Sequence, residues 1–156
     1  MKIQDILFRK AILIDLKAQP KNSLLTQMAH FLSSLYNLKD PETITQKILE
    51  REQEVSTGIG YGIAVPHTRT NMVSQLCIVA GRCVKGIEFD SLDEQPVHLL
   101  FMLVSPEDNS DDHRTILSSI SKIMSYEDMR EKLLAATTPK DFLTHIINGE
   151  NKYIKQ

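Results

Sequence analysis

The apolar positions of the chain come in three rhythms, and their order predicts a sheet covered by helices. Ala11 to Leu16 (AILIDL) is too short for a stable helix and rich in isoleucine, which reads as a strand. After the break at Pro20, Leu24, Leu25, Met28, Ala29, Leu32 and Leu35 recur at helical spacing and give one buried face, with Asn22 or Ser23 as cap. Asp40–Pro41 opens a second helix over 42–53, with Ile44, Ile48 and Leu49 inward. The rhythm then changes. Gln75 to Cys83 reads as a strand, with Gly81 marking a bulge or a close approach. Val97 to Val104 (VHLLFMLV) is so continuously apolar that both faces of its strand must be buried.

Beyond a polar loop, Ile116, Leu117, Ile120, Ile123 and Met124 form the stripe of a helix capped by Ser110 or Asp111, which puts His113 in its first turn. Two more helices are expected at about 126–135 and 139–147, and the polar tail GENKYIKQ reads as frayed. Residues 3–8 predict a short helical turn. Strands this apolar need helices on both sides, and the connection from the first strand through two helices is long enough for a parallel crossover. The expectation is one α/β domain over residues 1–156, with its core at about 3–148.

Composition narrows the function more than the fold. A formal net charge of −2 gives no basic surface for nucleic acid. No apolar run approaches the roughly 20 residues of a membrane helix, and MKIQDILFRK lacks a secretory h-region, so a cytoplasmic protein without membrane insertion is expected. Cys77 and Cys83 lack metal or redox spacing and read as small apolar filler in a reducing compartment.

The chemistry concentrates in Ser56 to Arg69 (STGIGYGIAVPHTR). Gly58, Gly60 and Gly62 let the main chain approach a ligand, and Pro66 holds Val65 extended so that His67 is presented at a rigid strand end. Arg51 falls just before this loop and can reach over it as an anion clamp. His113 follows the end of a buried strand, where ligands bind in open α/β sheets. Two imidazoles, an arginine and loop N–H groups suit a phosphoryl group: a neutral imidazole is a nucleophile near pH 7, and the donors neutralise the transferring oxygens. A serine hydrolase is disfavoured, because Ser56 and Ser105 have no GxSxG context. A metal site is weaker still, with no third ligand in register.

The runs REQEVSTGIGYGIAVPHTR, SLDEQPVHLLFMLVSPED and DDHRTILSSISKIM resemble the phosphotransferase-system enzyme IIA domains of the fructose, mannitol and nitrogen-regulatory type, across roughly residues 3–148. The resemblance implies a mixed, mostly parallel central sheet between helical layers, a three-layer α/β/α fold. By position it makes His67 the phosphorylated histidine, accepting phosphate from the phosphocarrier HPr or its nitrogen-branch relative. His113 becomes the histidine that stabilises the phosphoryl group and Arg51 the arginine beside it, with Ser56, Thr57 and Gly58 as the adjoining substrate-binding loop. No metal or dissociable cofactor is implied. Tyr61 departs from the pattern, since relatives often carry Asn or, in the mannitol branch, a carboxylate there. That leaves no acidic partner for His67 at this position.

Three functions follow. With no fused IIB, IIC or carrier domain in these residues, a regulator that binds partner proteins according to its phosphorylation state is favoured. The alternatives are a fructose-type IIA that passes phosphate to a IIB domain, and a degenerate binding module without phosphotransfer.

Overall fold

A computed structural model describes residues 1–155. In chain order its elements are β1 (Ile12–Leu13), α1 (Lys21–Leu35), α2 (Pro41–Glu54), β2 (Gly58–Gly60), β3 (Ile63–Ala64), β4 (His67–Arg69), β5 (Cys77–Ile87), β6 (Val97–Ser105), α3 (Ser110–Met124), α4 (Glu127–Ala135) and α5 (Pro139–Tyr153), with one-turn 3-10 helices at Ile3–Asp5 and Arg9–Ala11. The strands form one sheet in the order β1-β5-β6-β3-β2, with β4 continuing the β3 side of β6. β1–β5, β3–β6 and β4–β6 are parallel, while β2–β3 and the long β5–β6 ladder are antiparallel. The sheet is therefore mixed, and three of its five pairings are parallel.

The two helical layers follow from the stripes. Leu24, Leu25, Met28, Ala29 and Leu32 of α1 are buried, and α1 packs on α2 and β5. α3, α4 and α5 pack on one another, with contacts to β6, β5 and β1. Every residue of β6 except His98 is buried, as its unbroken apolar run requires.

Local details differ from the sequence expectation for identifiable reasons. The first strand is only Ile12–Leu13: Ile14 and Asp15 turn, the Ile14 carbonyl accepts from Arg82 Nε at 3.0 Å, and the Leu16 N–H returns to the Arg82 carbonyl. α1 starts at Lys21 behind Pro20, with no side-chain cap from Asn22 or Ser23. α3 is capped by Asn109, whose side chain accepts from the Asp112 N–H, and not by Ser110 or Asp111. Asp40 does cap α2, accepting from the Thr43 N–H. β5 extends past Cys83 to Ile87, and Gly81 marks a close approach: a Cβ there would collide with the Leu16 side chain.

The tail is the largest difference. α5 continues to Tyr153, where fraying was expected after 147. Glu150 is 2% exposed, and its carboxylate accepts from the backbone N–H groups of Ile3 at 2.5 Å and Gln4 at 3.0 Å. A buried carboxylate needs donors, and the otherwise unpaired N–H groups of the first turn supply them.

Candidate functional site

His67 and His113 arrive from different elements at the C-terminal end of β6. β4 runs parallel to β6 with His67 opposite Leu103, and the Pro66 carbonyl accepts the Leu103 N–H at 3.0 Å. His113 lies in the first turn of α3, the helix that folds back after β6 ends at Ser105. The two rings meet edge to face, with centroids 5.3 Å apart and planes at 65°.

Each ring is oriented by one partner. His67 Nδ1 stands 2.7 Å from the Val65 carbonyl. A carbonyl only accepts, so Nδ1 carries the proton of the neutral ring and Nε2 keeps its lone pair. His113 Nδ1 is hydrogen-bonded to the Ser105 hydroxyl. When Ser105 donates, the His113 Nε2–H becomes a donor free to meet an anion.

Electrostatics keep both rings neutral near pH 7. Burial lowers the pKa of His67; Arg51 lowers it further, while the Val65 carbonyl and Glu52 act in the opposite direction. His113 falls to about 4, first through burial and then through the charges of His67, Arg69 and Arg114. Cys77 is the other strongly shifted group: burial pushes its thiol up to about 12, which fits a buried filler and not a nucleophile.

Arg51 sits in the last turn of α2 and donates from Nη1 to the Val55 carbonyl at 3.0 Å. That bond ties its guanidinium to the start of the glycine loop, and its charge acts on His67. Ser56, Thr57 and Gly58 are tied into the fold by their own hydrogen bonds and packing. The Thr57 N–H and hydroxyl both donate to the Glu52 carboxylate, at 2.8 and 2.5 Å. The Ser56 hydroxyl donates to the Phe89 carbonyl at 3.2 Å and accepts the Gly58 N–H at 3.1 Å. A side chain at Gly58 would collide with Ser91. These bonds hold the start of the loop, which frames His67.

The frame is a connected path. Lys21 Nζ lies 3.0 Å from Glu52, and Glu52 accepts from Thr57. The Thr57 carbonyl accepts the Val65 N–H at 3.0 Å, and Val65 in turn holds His67. Sequence reasoning missed Glu52, which is 5% exposed. Its signal was its spacing: it continues the Ile44, Ile48 stripe one turn further, where a carboxylate must find partners. Ser105 was missed as an orienting group, although it is the polar residue that ends an otherwise apolar strand.

Tyr61 is not at this site. With φ of +59° it precedes Gly62 at +78° in the two-residue turn of the β2–β3 hairpin, a type I′ pattern. Its ring lies under the Arg130 guanidinium, 4.3 Å from Cζ to centroid, and Arg130 Nη1 donates to the Met124 carbonyl. Met124 ends α3 and His113 begins it, about 16 Å apart along the helix. Asn is common at such turns because it tolerates positive φ, whereas Tyr has no such preference.

Among the described residues no helix is long and apolar enough to cross a membrane, and no group of three His, Cys, Asp or Glu side chains is arranged to hold a metal.

The family model "Phosphoenolpyruvate-dependent sugar phosphotransferase system, EIIA 2" matches residues 5–149. The fructose-specific EIIABC component of Bacillus subtilis is 36% identical over 97% of this chain, which spans 24% of that longer protein. The fructose-specific EIIA component of Haloferax volcanii is 40% identical over 69% of the chain and 72% of its own length. Among solved structures, the nitrogen regulatory protein IIA-Ntr of Neisseria meningitidis superposes with a TM-score of 0.82 at 28% identity, covering 92% of this chain and 98% of that one.

Proposed function

The chain belongs to the EIIA 2 family of the phosphoenolpyruvate-dependent sugar phosphotransferase system, and we propose that His67 is its phosphoryl acceptor, charged by a phosphohistidine donor of the HPr type. The observation that carries this is the Nδ1 contact to Val65, which leaves Nε2 as an unprotonated nucleophile on a ring whose centroid is 5.3 Å from that of His113. Nε2 attacks phosphorus in line; the new N–P bond forms as the donor's N–P bond breaks, and the departing imidazole keeps the bonding pair. Positive charge growing on the His67 ring is met by the Val65 carbonyl and the Glu52 carboxylate. Negative charge on the phosphoryl oxygens is met by His113 Nε2–H and Arg51. Burial keeps His67 unprotonated and therefore nucleophilic at neutral pH.

Incubation with phosphoenolpyruvate, enzyme I and HPr, followed by intact-mass measurement, tests the acceptor. The expected result is a gain of one acid-labile phosphoryl group that is absent in His67→Ala. Normal phosphorylation of His67→Ala would remove the assignment.

Downstream, we propose a regulator whose partner binding follows the phosphorylation state of His67, on the strength of the likeness to a nitrogen regulatory IIA-Ntr along nearly all of that chain. A second reading, a IIA that hands phosphate to a fructose-type IIB domain, is supported by the 36% and 40% identities to fructose-specific components. Mixing the phosphorylated protein with a fructose-type IIB separates them. Rapid loss of the group from His67 with its appearance on IIB supports transport, and retention supports regulation.

A further inference from the structure

At the β1 edge of the sheet lies a groove of about 570 Å³ whose chemistry is unlike that of the histidine site. Its floor is Ile12, Leu13, Phe31 and Pro139, and its rim is Arg9, Lys10 and Lys140. All three cations are exposed, none is ion-paired among the described residues, and no acidic side chain lines the groove. An apolar floor under three free cations fits an apolar side chain flanked by carboxylates.

The chain carries such a segment. In the loop between β5 and β6, Leu92 is 82% exposed, more than any other large hydrophobic residue described. It stands between Asp90, Asp93 and Glu94, all exposed. Phe89 and Ser91 on either side are buried, so the loop is anchored and Leu92 projects from a fixed base. The groove lies beside the edge strand β1 and the loop follows the end of β5. β1 pairs with Ala80 and Gly81 of β5, whereas the loop begins after Ile87, whose partner Val97 lies three residues, about 10 Å, along β6 from Leu100, the partner of Gly81. No residue of the loop lines the groove of its own molecule, and Leu92 is left exposed to meet that of another.

We propose that the groove receives Leu92 of a second copy of this chain, with Asp90, Asp93 and Glu94 meeting Arg9, Lys10 and Lys140. Because the two surfaces differ, the contact is head to tail and leaves one free loop and one free groove on every dimer. It is small and rim-charged, so it is weak, with a Kd of about 0.1–1 mM, and weakened by salt. The groove is separate from His67, with β1 three strands from β4 across the sheet, about 14 Å.

Sedimentation velocity on the full chain, taken up to the millimolar range, tests this. Wild type should show concentration-dependent association that weakens at high salt. Leu92→Ser and the double variant Arg9→Glu/Lys140→Glu should each weaken it about tenfold or more, while Leu92→Met retains it. Mixed together, the two defective variants should form a 1:1 dimer that does not grow, since each keeps one intact half. Unchanged circular dichroism and normal phosphoryl acceptance confirm that the variants are folded. A monomer at every concentration overturns the proposal, as does equal association of the variants or failure of the mixture to complement. Binding of anionic vesicles without self-association assigns the groove to a membrane and overturns it too.

Discussion

Both ends of β6 hold a histidine tied to main-chain carbonyls, and only one of them stands beside a second imidazole. His98, near the start of the strand, places Nδ1 3.1 Å from the carbonyls of Cys83 and Val84. Side chains at Gly62 and Gly86 would run into its ring, so it fills a packed gap between a hairpin and a strand. His67, at the other end, has the same kind of anchor. What differs is its surroundings: a second imidazole, an arginine on the adjoining helix and a buried carboxylate behind the loop. An oriented ring is common in folded proteins. The proposed acceptor role of His67 rests on these neighbours and not on the anchor alone.

Exchanging the two residues in experiment is the most severe test. His67→Ala should abolish phosphoryl acceptance, whereas His98→Ala should leave it intact and cost stability alone, read as a lower Tm. Next in size is His113→Ala, which should fold and slow phosphoryl transfer about 10²–10³-fold, because a donor to the developing charge is lost but the nucleophile remains. Single-turnover kinetics check this, and equal rates with and without His113 would remove its role.

Glu52→Ala should destabilise the fold by about 3 kcal/mol, because it leaves Lys21 and the Thr57 donors without their buried partner. Urea unfolding measures the loss, and a change below about 1 kcal/mol would mean that the loop is held by other contacts. Acid should have a related effect at the active end. The ordinary His value is 6.5 and His113 in the fold is near 4, so the unfolded chain takes up this proton first. The contribution of His113 is therefore fully present above about pH 6.5 and is lost progressively down to about pH 4, by about 3 kcal/mol in total. His113→Gln should flatten that part of the stability–pH curve. Smallest of all is Tyr61→Asn. It trades a cation–π contact for a residue that accepts positive φ, so stability should move by less than about 1 kcal/mol and phosphoryl acceptance by less than twofold. A larger loss of rate would tie the hairpin tip to the site and undo the contrast between the two ends.

Much of this was legible in the chain because it is local. The amphipathic spacing of α1, α2 and α3, the Asp40 cap, the doubly buried β6 and the Pro-His strand end all follow from interactions within a few residues. The pairing of His67 with His113 was legible for another reason: each follows or forms a strand end pointing the same way, and parallel strands bring such ends together. Less was visible where a partner is remote. Glu150 looked like part of a frayed tail because the N–H groups that bury it lie almost a full chain length away. The ties of Ser56 to the Phe89 carbonyl and of Thr57 to a buried Glu52 were not visible either, because nothing in the sequence shows where Phe89 lies or that Glu52 is buried.

The sequence by itself thus determined the helices, the apolar central strand, the rigid presentation of His67 and the family, since backbone stereochemistry and hydrophobic periodicity act over short range. Tertiary structure decided which polar groups were free to act. It oriented His113 on Ser105, turned the glycine loop into a frame on Glu52 and Lys21, and carried Tyr61 to the far end of the sheet. The reason is physical: a buried donor or acceptor must be satisfied by whatever the fold brings within hydrogen-bond reach, and only the groups left over can meet a phosphoryl group.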